Sequence, residues 1–304
     1  MIAPIAYGGW PNCYRLTNGE VEVVATTDVG PRLIRCGFAR GPNLFKEFRD
    51  QIGKSGEPDW QPRGGHRLWL APESVVLSYG LDNSPVSASI QADSITLTQV
   101  VEKETGFRKQ ITIRLANSGF EVVHRLENTN HHAATVAPWA LTMMAPGGTA
   151  VTEFPPRATH SQALQPTNPL VMWGYTNFSD PRWKFTEKYL ILRQDPQAAS
   201  PVKAGLWSPR TWQAYLLGTD LFVKSTPVEK GPGSYPDMGC SLETFTNADF
   251  LEMETLGPLA AVPPQGAVTH IERWALYGDI HITEWTDEEL DRVLAPRVRS
   301  EPLP

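Results

Sequence analysis

Most of this chain repeats with a period of two. EVEVVATTDV (20–29), SITLTQVVEK (94–103), RKQITIRLAN (108–117) and GFEVVHRLEN (119–128) alternate in polarity or run in β-branched residues, and turn residues bound each of them. ATVAPWALTMMA, WQAYLLGTDLFVK, CSLETFT, FLEMETLG and AVTHIERWALY have the same character. Turn signals lie between the runs, among them Asn18-Gly19, Asn117-Ser118-Gly119 and Gly147-Gly148. The 27 prolines and 24 glycines are spread throughout, as many strands joined by turns require. The expectation is an all-β chain.

Helical signals are few. TDEELDRVLA (286–295) has Thr286 as cap, Glu289 at the capping-box position, and Asp287 and Glu288 at the positive helix end. This helix is expected to stop before Pro296, leaving RVRSEPLP as a frayed tail. Residues 150–210 are dense in Pro, Trp, Asn, Asp and Arg. Because they carry Trp173, Tyr175 and Trp183, they read as long functional loops and not as a linker, which would be poor in aromatics. With no repeat, coiled coil or low-complexity tract, one domain over 1–304 is the economical assignment, with a core at 5–285 and a helix and tail at 286–304.

At 304 residues the chain has room for a large core. A formal charge of −6 without a basic stripe argues against nucleic acid or an acidic membrane as partner. No run approaches the length of a membrane span, and the N-terminal MIAPIAYGGWPNCYRL lacks a basic region followed by an apolar one, so no signal peptide is expected. Cys13, Cys36 and Cys240 have no disulfide or zinc spacing, which fits reduced thiols in a cytoplasmic protein.

Two stretches concentrate chemistry. In RGGHRLWLAPES (63–74), a strand through 65–70 points Arg67 and Trp69 one way and His66 and Leu68 the other, unless Gly64-Gly65 bends it. Trp69 is suited to stacking on an apolar ligand face, Arg67 to forked hydrogen bonds and Glu73 to accepting them. In YPDMGCSLETFTNADFLEMETLG, two strands (240–246 and 250–256) joined by Asn-Ala-Asp read as a hairpin. Glu243 shares a face with Ser241 and Phe245, Glu252 shares one with Glu254, and Asp237 sits in the preceding turn. Such carboxylates serve as an acid–base pair, as hydroxyl acceptors or merely as a solvated face.

On the last long strand Glu272 shares a face with Trp274, with Arg273 or a neighbour as the candidate ion-pair partner. Arg182, Lys203 and Lys224 are candidates for recognising an acidic group. His124, on one face with Val122 and Leu126, reads as a satisfied sheet residue, and His131 and His132 as exposed turn residues. No metal-ligand spacing, nucleotide-binding glycine loop or nucleophile elbow occurs, so neither metal nor cofactor is expected.

HRLENTN leading to APWALTMMAPGG, then YPDMGCSLETFTN, LEMETLGPLAAVPPQG and HIERWALY, resemble the galactose mutarotase-like superfamily, and within it a bacterial branch, over residues 5 to 285. The resemblance implies a β-supersandwich of two large antiparallel sheets with a sugar-binding groove across one concave face. Aldose 1-epimerases, hexose-phosphate mutarotases and domains of glycoside hydrolases and polysaccharide lyases share that fold, so it points to carbohydrate without fixing the reaction. Arg67 is the counterpart of the family's early arginine. Trp139 stands where its central-strand histidine would be.

The resemblance implies an aldose 1-epimerase-like enzyme that interconverts sugar anomers. Glu254 or Glu243 would be the base and His66 the acid. Arg67, Trp69, Glu73, Trp139, Arg182, Lys203 and Asp237 would hold a small sugar. The alternatives are a recognition protein with the same groove, in which Trp69, Trp139 and Trp183 stack on the ligand, or a lyase or hydrolase acting on a larger glycan.

Overall fold

The computed structural model describes residues 1–116, 119–228 and 230–298. Strands dominate, and they form two antiparallel sheets. The first has eleven strands. From one edge it runs β1 (Ile2–Tyr7), β2 (Trp10–Thr17), β3 (Val21–Thr26), β4 (Arg32–Phe38) and β5 (Gly65–Ala71). It continues through β10 (Ala134–Met144), β19 (Leu251–Leu256), β18 (Leu242–Thr246), β15 (Val202–Leu206) and β12 (Leu170–Met172), while β20 (Ala260–Val262) pairs with the start of β10.

The second sheet has ten strands. Its order begins β13 (Trp183–Phe185), β14 (Tyr189–Arg193), β11 (Thr149–Glu153), β16 (Trp212–Leu217) and β17 (Asp220–Ser225). It ends β21 (Ala267–Tyr277), β9 (Gly119–Asn128), β8 (Phe107–Ala116), β7 (Ser94–Thr98) and β6 (Ser87–Ile90).

Alternation decides which side chains meet between the sheets. Leu68, Leu70, Met144, Leu251 and Met253 of the first sheet join Ile111, Val122, Leu126, Phe222 and Trp274 of the second in one buried cluster. The runs of β8, β9 and β21 are half-buried strands that alternate between this inner face and a partly exposed one, whereas β3, β10 and β19 are buried on both faces. The 240–256 segment is the expected hairpin, with β18 and β19 paired so that Glu243 stands opposite Glu254.

Two helices accompany the sheets. The short α1 (Val75–Ser78) is capped by the Ser74 hydroxyl, which accepts from the Leu77 amide. The C-terminal α2 (Asp287–Val298) packs Leu290, Val293 and Leu294 on the outer face of the second sheet. It does not stop before Pro296 as expected. Pro296 falls in the last turn, where only one intrahelical bond is forgone, and the buried apolar side holds the turn in place. Of the expected tail, residues 299–304 lie outside the described residues, as do Asn117 and Ser118 of the expected turn.

Candidate functional site

The outer face of the first sheet carries a groove of about 550 Å³ above its central strands. Register explains its floor. One row across the sheet reads Gly205, Glu243, Glu254, Leu141, Arg67 and Arg32, and the neighbouring row reads Lys203, Phe245, Glu252 and Met143. Strands distant in sequence therefore bring a lysine, two arginines and three glutamates onto one face. Gly205 makes room for this: a Cβ there would stand 2.5 Å from Cys240 Sγ and 3.1 Å from Glu243 Cγ.

Aromatic rings form the walls. Trp60, Trp69 and Tyr79 pack together at one end, Trp139 and Trp173 lie over the middle, and Tyr175, Phe245 and Phe250 close the other end. The two cations lie against these rings. Arg67 sits 4.2 Å from the centroid of Trp69 and 4.9 Å from that of Trp60. Lys203 Nζ lies 4.8 Å from Trp139 and 4.6 Å from Trp173.

Lys203 is held from below. Its ammonium is 2.7 Å from Glu243 Oε2 and 2.9 Å from Glu254 Oε2, and Trp139 Nε1 also donates to Glu254 Oε2 at 2.8 Å. Burial by itself would lower the lysine's pKa, but the two carboxylates outweigh it and hold the ammonium well above its ordinary value. Glu243 is pushed well up, by burial first, with Lys203 opposing and Glu254 and Asp237 adding to the rise.

Glu252 is different, because it lines the groove and has no such clamp. Burial first, and then the charge of Glu254, push its carboxyl up to about 7 against the pull of Arg67. Arg67 Nη2 is the nearest cation, at 3.7 Å from Glu252 Oε1, which is too far for a hydrogen bond. Glu252 Oε1 and Arg67 Nε and Nη1 are all buried without a hydrogen-bond partner in the protein. A well-packed protein rarely leaves such groups on a closed surface.

The fold matches solved structures of very different sequence. A galactose mutarotase-like protein from Lactobacillus casei is 10% identical, with a TM-score of 0.57 over 88% of this chain and 100% of its own. A Synechocystis protein is 12% identical, with a TM-score of 0.59 over 91% and 99%. A galactose mutarotase-like protein from Clostridium acetobutylicum is 9% identical, with a TM-score of 0.55 over 91% and 98%. The fold is galactose mutarotase-like. No protein-family model matches the chain, and no curated protein matches it.

Within this mutarotase-like sandwich, Arg67, Trp69, Glu73, Trp139 and Lys203 line the groove together. Glu243 and Glu254 lie under its floor, bound to Lys203 and almost completely buried. Asp237 borders that cluster from a left-handed turn position, its carboxyl raised chiefly by burial. Arg182 is elsewhere, occupied by Asp180 and the Ser200 carbonyl, and Trp183 packs with Phe178 and Phe185.

His66 is also not in the groove. Gly64 and Gly65 adopt positive φ, and a Cβ on Gly65 would meet Leu33 O at 2.3 Å. That bend lies at the very start of the strand and leaves the alternation beyond it intact, so His66 faces the core while Arg67 and Trp69 face out. Lys224, too, lies between the sheets, and it is Lys224, not Arg273, that pairs with Glu272, at 2.9 Å. Sequence reasoning missed Trp60, Tyr79 and Asp249, and gave Glu252 no role of its own. The signals were present in the Trp60 and Tyr79 rings flanking RGGHRLWL and in the shared face of Glu252 and Glu254.

The core side of the same strands holds a second polar cluster. His66 Nε2 is 2.7 Å from His124 Nε2, and His124 Nδ1 is 3.0 Å from the His270 carbonyl. A carbonyl can only accept, so His124 carries its proton on Nδ1 and accepts on Nε2. His66 must then donate from Nε2 and accept on Nδ1, from the Thr142 hydroxyl at 2.8 Å. Lys224 donates to Thr142, and also to Glu272 and the Ala140 carbonyl. His270 Nε2 donates to Thr255, which donates to Glu272, and Trp274 donates to the other Glu272 oxygen.

Burial lowers the pKa of all three imidazoles, that of His270 to about 3, which agrees with neutral rings. The facing atoms of His66, His124 and Glu272 lie within 4.8 Å of one another, a spacing a metal ion could use. The hydrogen bonds already satisfy this set, however, and Lys224 supplies its cation. It reads as a structural network.

Proposed function

We propose that the groove binds a monosaccharide-sized sugar and interconverts its anomers, with Glu252 carrying the proton. The carrying observation is the position of Glu252: a buried carboxyl that lines an aromatic-walled groove without a hydrogen-bond partner for Oε1, where burial and Glu254 push its pKa up to about 7. A catalytic acid or base works best with a pKa near the working pH. The groove volume suits a small ligand, and indole faces stack well on the apolar face of a pyranose.

Mutarotation removes the proton from the anomeric hydroxyl and protonates the ring oxygen. The ring opens to the aldehyde and recloses on either face. The two oxygens on an anomeric carbon are spaced much like the two oxygens of a carboxyl group. Protonated Glu252 can therefore donate to the ring oxygen from one atom and accept from the hydroxyl at the other. No imidazole is needed, and none lines the groove among the described residues. Lys203, fixed by Glu243 and Glu254, and Arg67 would position hydroxyls.

Exchange NMR on the two anomers of a panel of aldoses tests this reading. The expected rate has an inflection near pH 7, set by Glu252 among its charged neighbours Glu254, Arg67, Lys203 and Glu73. Glu252→Gln is expected to lower the exchange rate by about 10²- to 10⁴-fold. Unchanged exchange in that variant would remove Glu252 from the chemistry. Ligand contact without accelerated exchange in the wild type would favour recognition alone.

A further inference from the structure

The groove's cation at one end is poorly matched by its surroundings. Arg67 is 3% exposed, and its guanidinium lies against the adjoining rings of Trp60 and Trp69. The two ring centroids are only 5.9 Å apart, so the rings form a corner that holds the guanidinium and leaves its N–H edges for hydrogen bonds. Those edges have no acceptor: Nε and Nη1 are unpartnered, and Nη2 is 3.7 Å from Glu252. Arg32 and Arg63, also buried, leave only Nε unpartnered, since their terminal nitrogens are bonded to backbone carbonyls and paired with Asp82 and Glu57. Only Arg67 of the three opens onto the groove.

We infer that Arg67 is a carboxylate subsite and that the sugar is a uronic acid in its ring form. This rests on the sugar reading above and names its substrate class. A planar carboxylate matches a guanidinium edge with two parallel hydrogen bonds. The remaining charges argue for a monoanion over a phosphate. Lys203 is already neutralised by Glu243 and Glu254, and Glu73, Asp249 and Glu252 also line the groove, so a dianion would meet three acidic groups.

The covalent structure of a uronic acid supports the assignment. Its carboxyl carbon is joined to C5, which also bears the ring oxygen. A carboxylate on Arg67 therefore brings the ring oxygen into the neighbourhood of Glu252, the proton donor proposed above. The ligand's negative charge also favours the protonated form of Glu252. Binding near neutral pH then takes up a proton, and an anionic ligand produces more of that uptake than its uncharged counterpart. Glu254 on the same strand, Arg67 on β5, Lys203 on β15, Glu73 at the rim and Lys224 beneath set the starting balance.

Calorimetry at pH 7.5, in buffers of different ionisation enthalpy, tests the inference on the intact protein. Glucuronate and galacturonate are compared with their uncharged amides, the parent aldoses and the sugar 6-phosphates. The uronates are expected to bind about 10- to 100-fold more tightly than the amides, with net proton uptake. Arg67→Gln abolishes the preference and Arg67→Lys restores only part of it. The amide comparison uses wild-type protein and survives any folding defect in the variants. Equal affinity for uronate, amide and parent sugar overturns the acidic-sugar inference and leaves the sugar site standing. Tightest binding of the phosphate overturns the choice of carboxylate, and binding of none overturns both readings.

Discussion

The two faces of the central strands β5, β10 and β19 bury polar side chains in comparable number but treat them in opposite ways. On the core face, His66, Thr142, Thr255 and their partners across the interlayer form a chain in which each donor meets an acceptor. On the groove face, Arg67, Glu252 and Glu254 keep buried polar atoms without partners. A buried polar group left unmatched costs on the order of 1–3 kcal/mol, more when charged. The core face repays burial internally, and the groove face is arranged to be completed by something else. Burial and residue type alone would have ranked the histidine cluster as the better active-site candidate. Hydrogen-bond satisfaction reverses that ranking.

The comparison can be broken most forcefully at Lys224. Lys224→Met leaves Glu272 ionised between the sheets and removes the first donor of the chain. A loss of about 3–5 kcal/mol in urea unfolding is expected. Lys224→Met with Glu272→Leu should recover most of it, because the charge is then gone from both sides. A single variant as stable as the wild type would mean that the core network is not a closed ionic system.

The pH dependence of stability separates the faces by sign. Glu252 has a folded value near 7 against 4.5 for a free glutamate, so the folded state holds its proton where the unfolded state has lost it. Its contribution is full below about pH 4.5, falls as pH rises to about 7, and amounts to about 3 kcal/mol. Glu252→Gln should therefore gain on the wild type by about that amount at pH 8 and by little near pH 4. The core behaves oppositely. His270, with a folded value near 3 against 6.5, contributes stability above about pH 6.5 that is lost as pH falls towards 3. A stability difference between Glu252→Gln and wild type that does not vary with pH would sink the assignment of a neutral-range pKa to Glu252.

Much of this arrangement was legible in one dimension. Alternation alone placed Arg67 with Trp69, Glu252 with Glu254, and His66 opposite Arg67, and all three faces are as that pattern requires. His66 was a candidate acid only through the idea that Gly64-Gly65 might bend the strand. What alternation cannot supply is which strands become neighbours. Lys203 meets Glu243 and Glu254 because β15 pairs with β18 and β18 with β19. Lys224 meets Glu272 because β17 pairs with β21. Nor does a face pattern say whether that face looks inward or outward, which is why Lys224 and Arg182 looked like groove residues. The rim rings of Trp60 and Tyr79 come from irregular segments, where no periodicity applies.

The smallest effect sharpens the contrast best, because the same chemistry occurs on both sides. Thr255 donates its hydroxyl to Glu272 at 2.5 Å in the core, and Tyr79 donates its own to Glu73 at 2.6 Å on the groove rim. Thr255→Val keeps the shape and deletes the donor, leaving a buried carboxylate short of one hydrogen bond and His270 without its acceptor. About 2–3 kcal/mol should be lost. Tyr79→Phe keeps the ring packing on Trp60 and Trp69 and frees a carboxylate that water can reach. Its stability should change by less than about 1 kcal/mol. Ligand affinity, in contrast, should fall severalfold in Tyr79→Phe, since Glu73 is no longer held in place at the groove mouth, and stay unchanged in the folded fraction of Thr255→Val. If Thr255→Val weakened binding as much as Tyr79→Phe, the two faces would be coupled through the strands between them, and their separation into a structural side and a ligand side would fail.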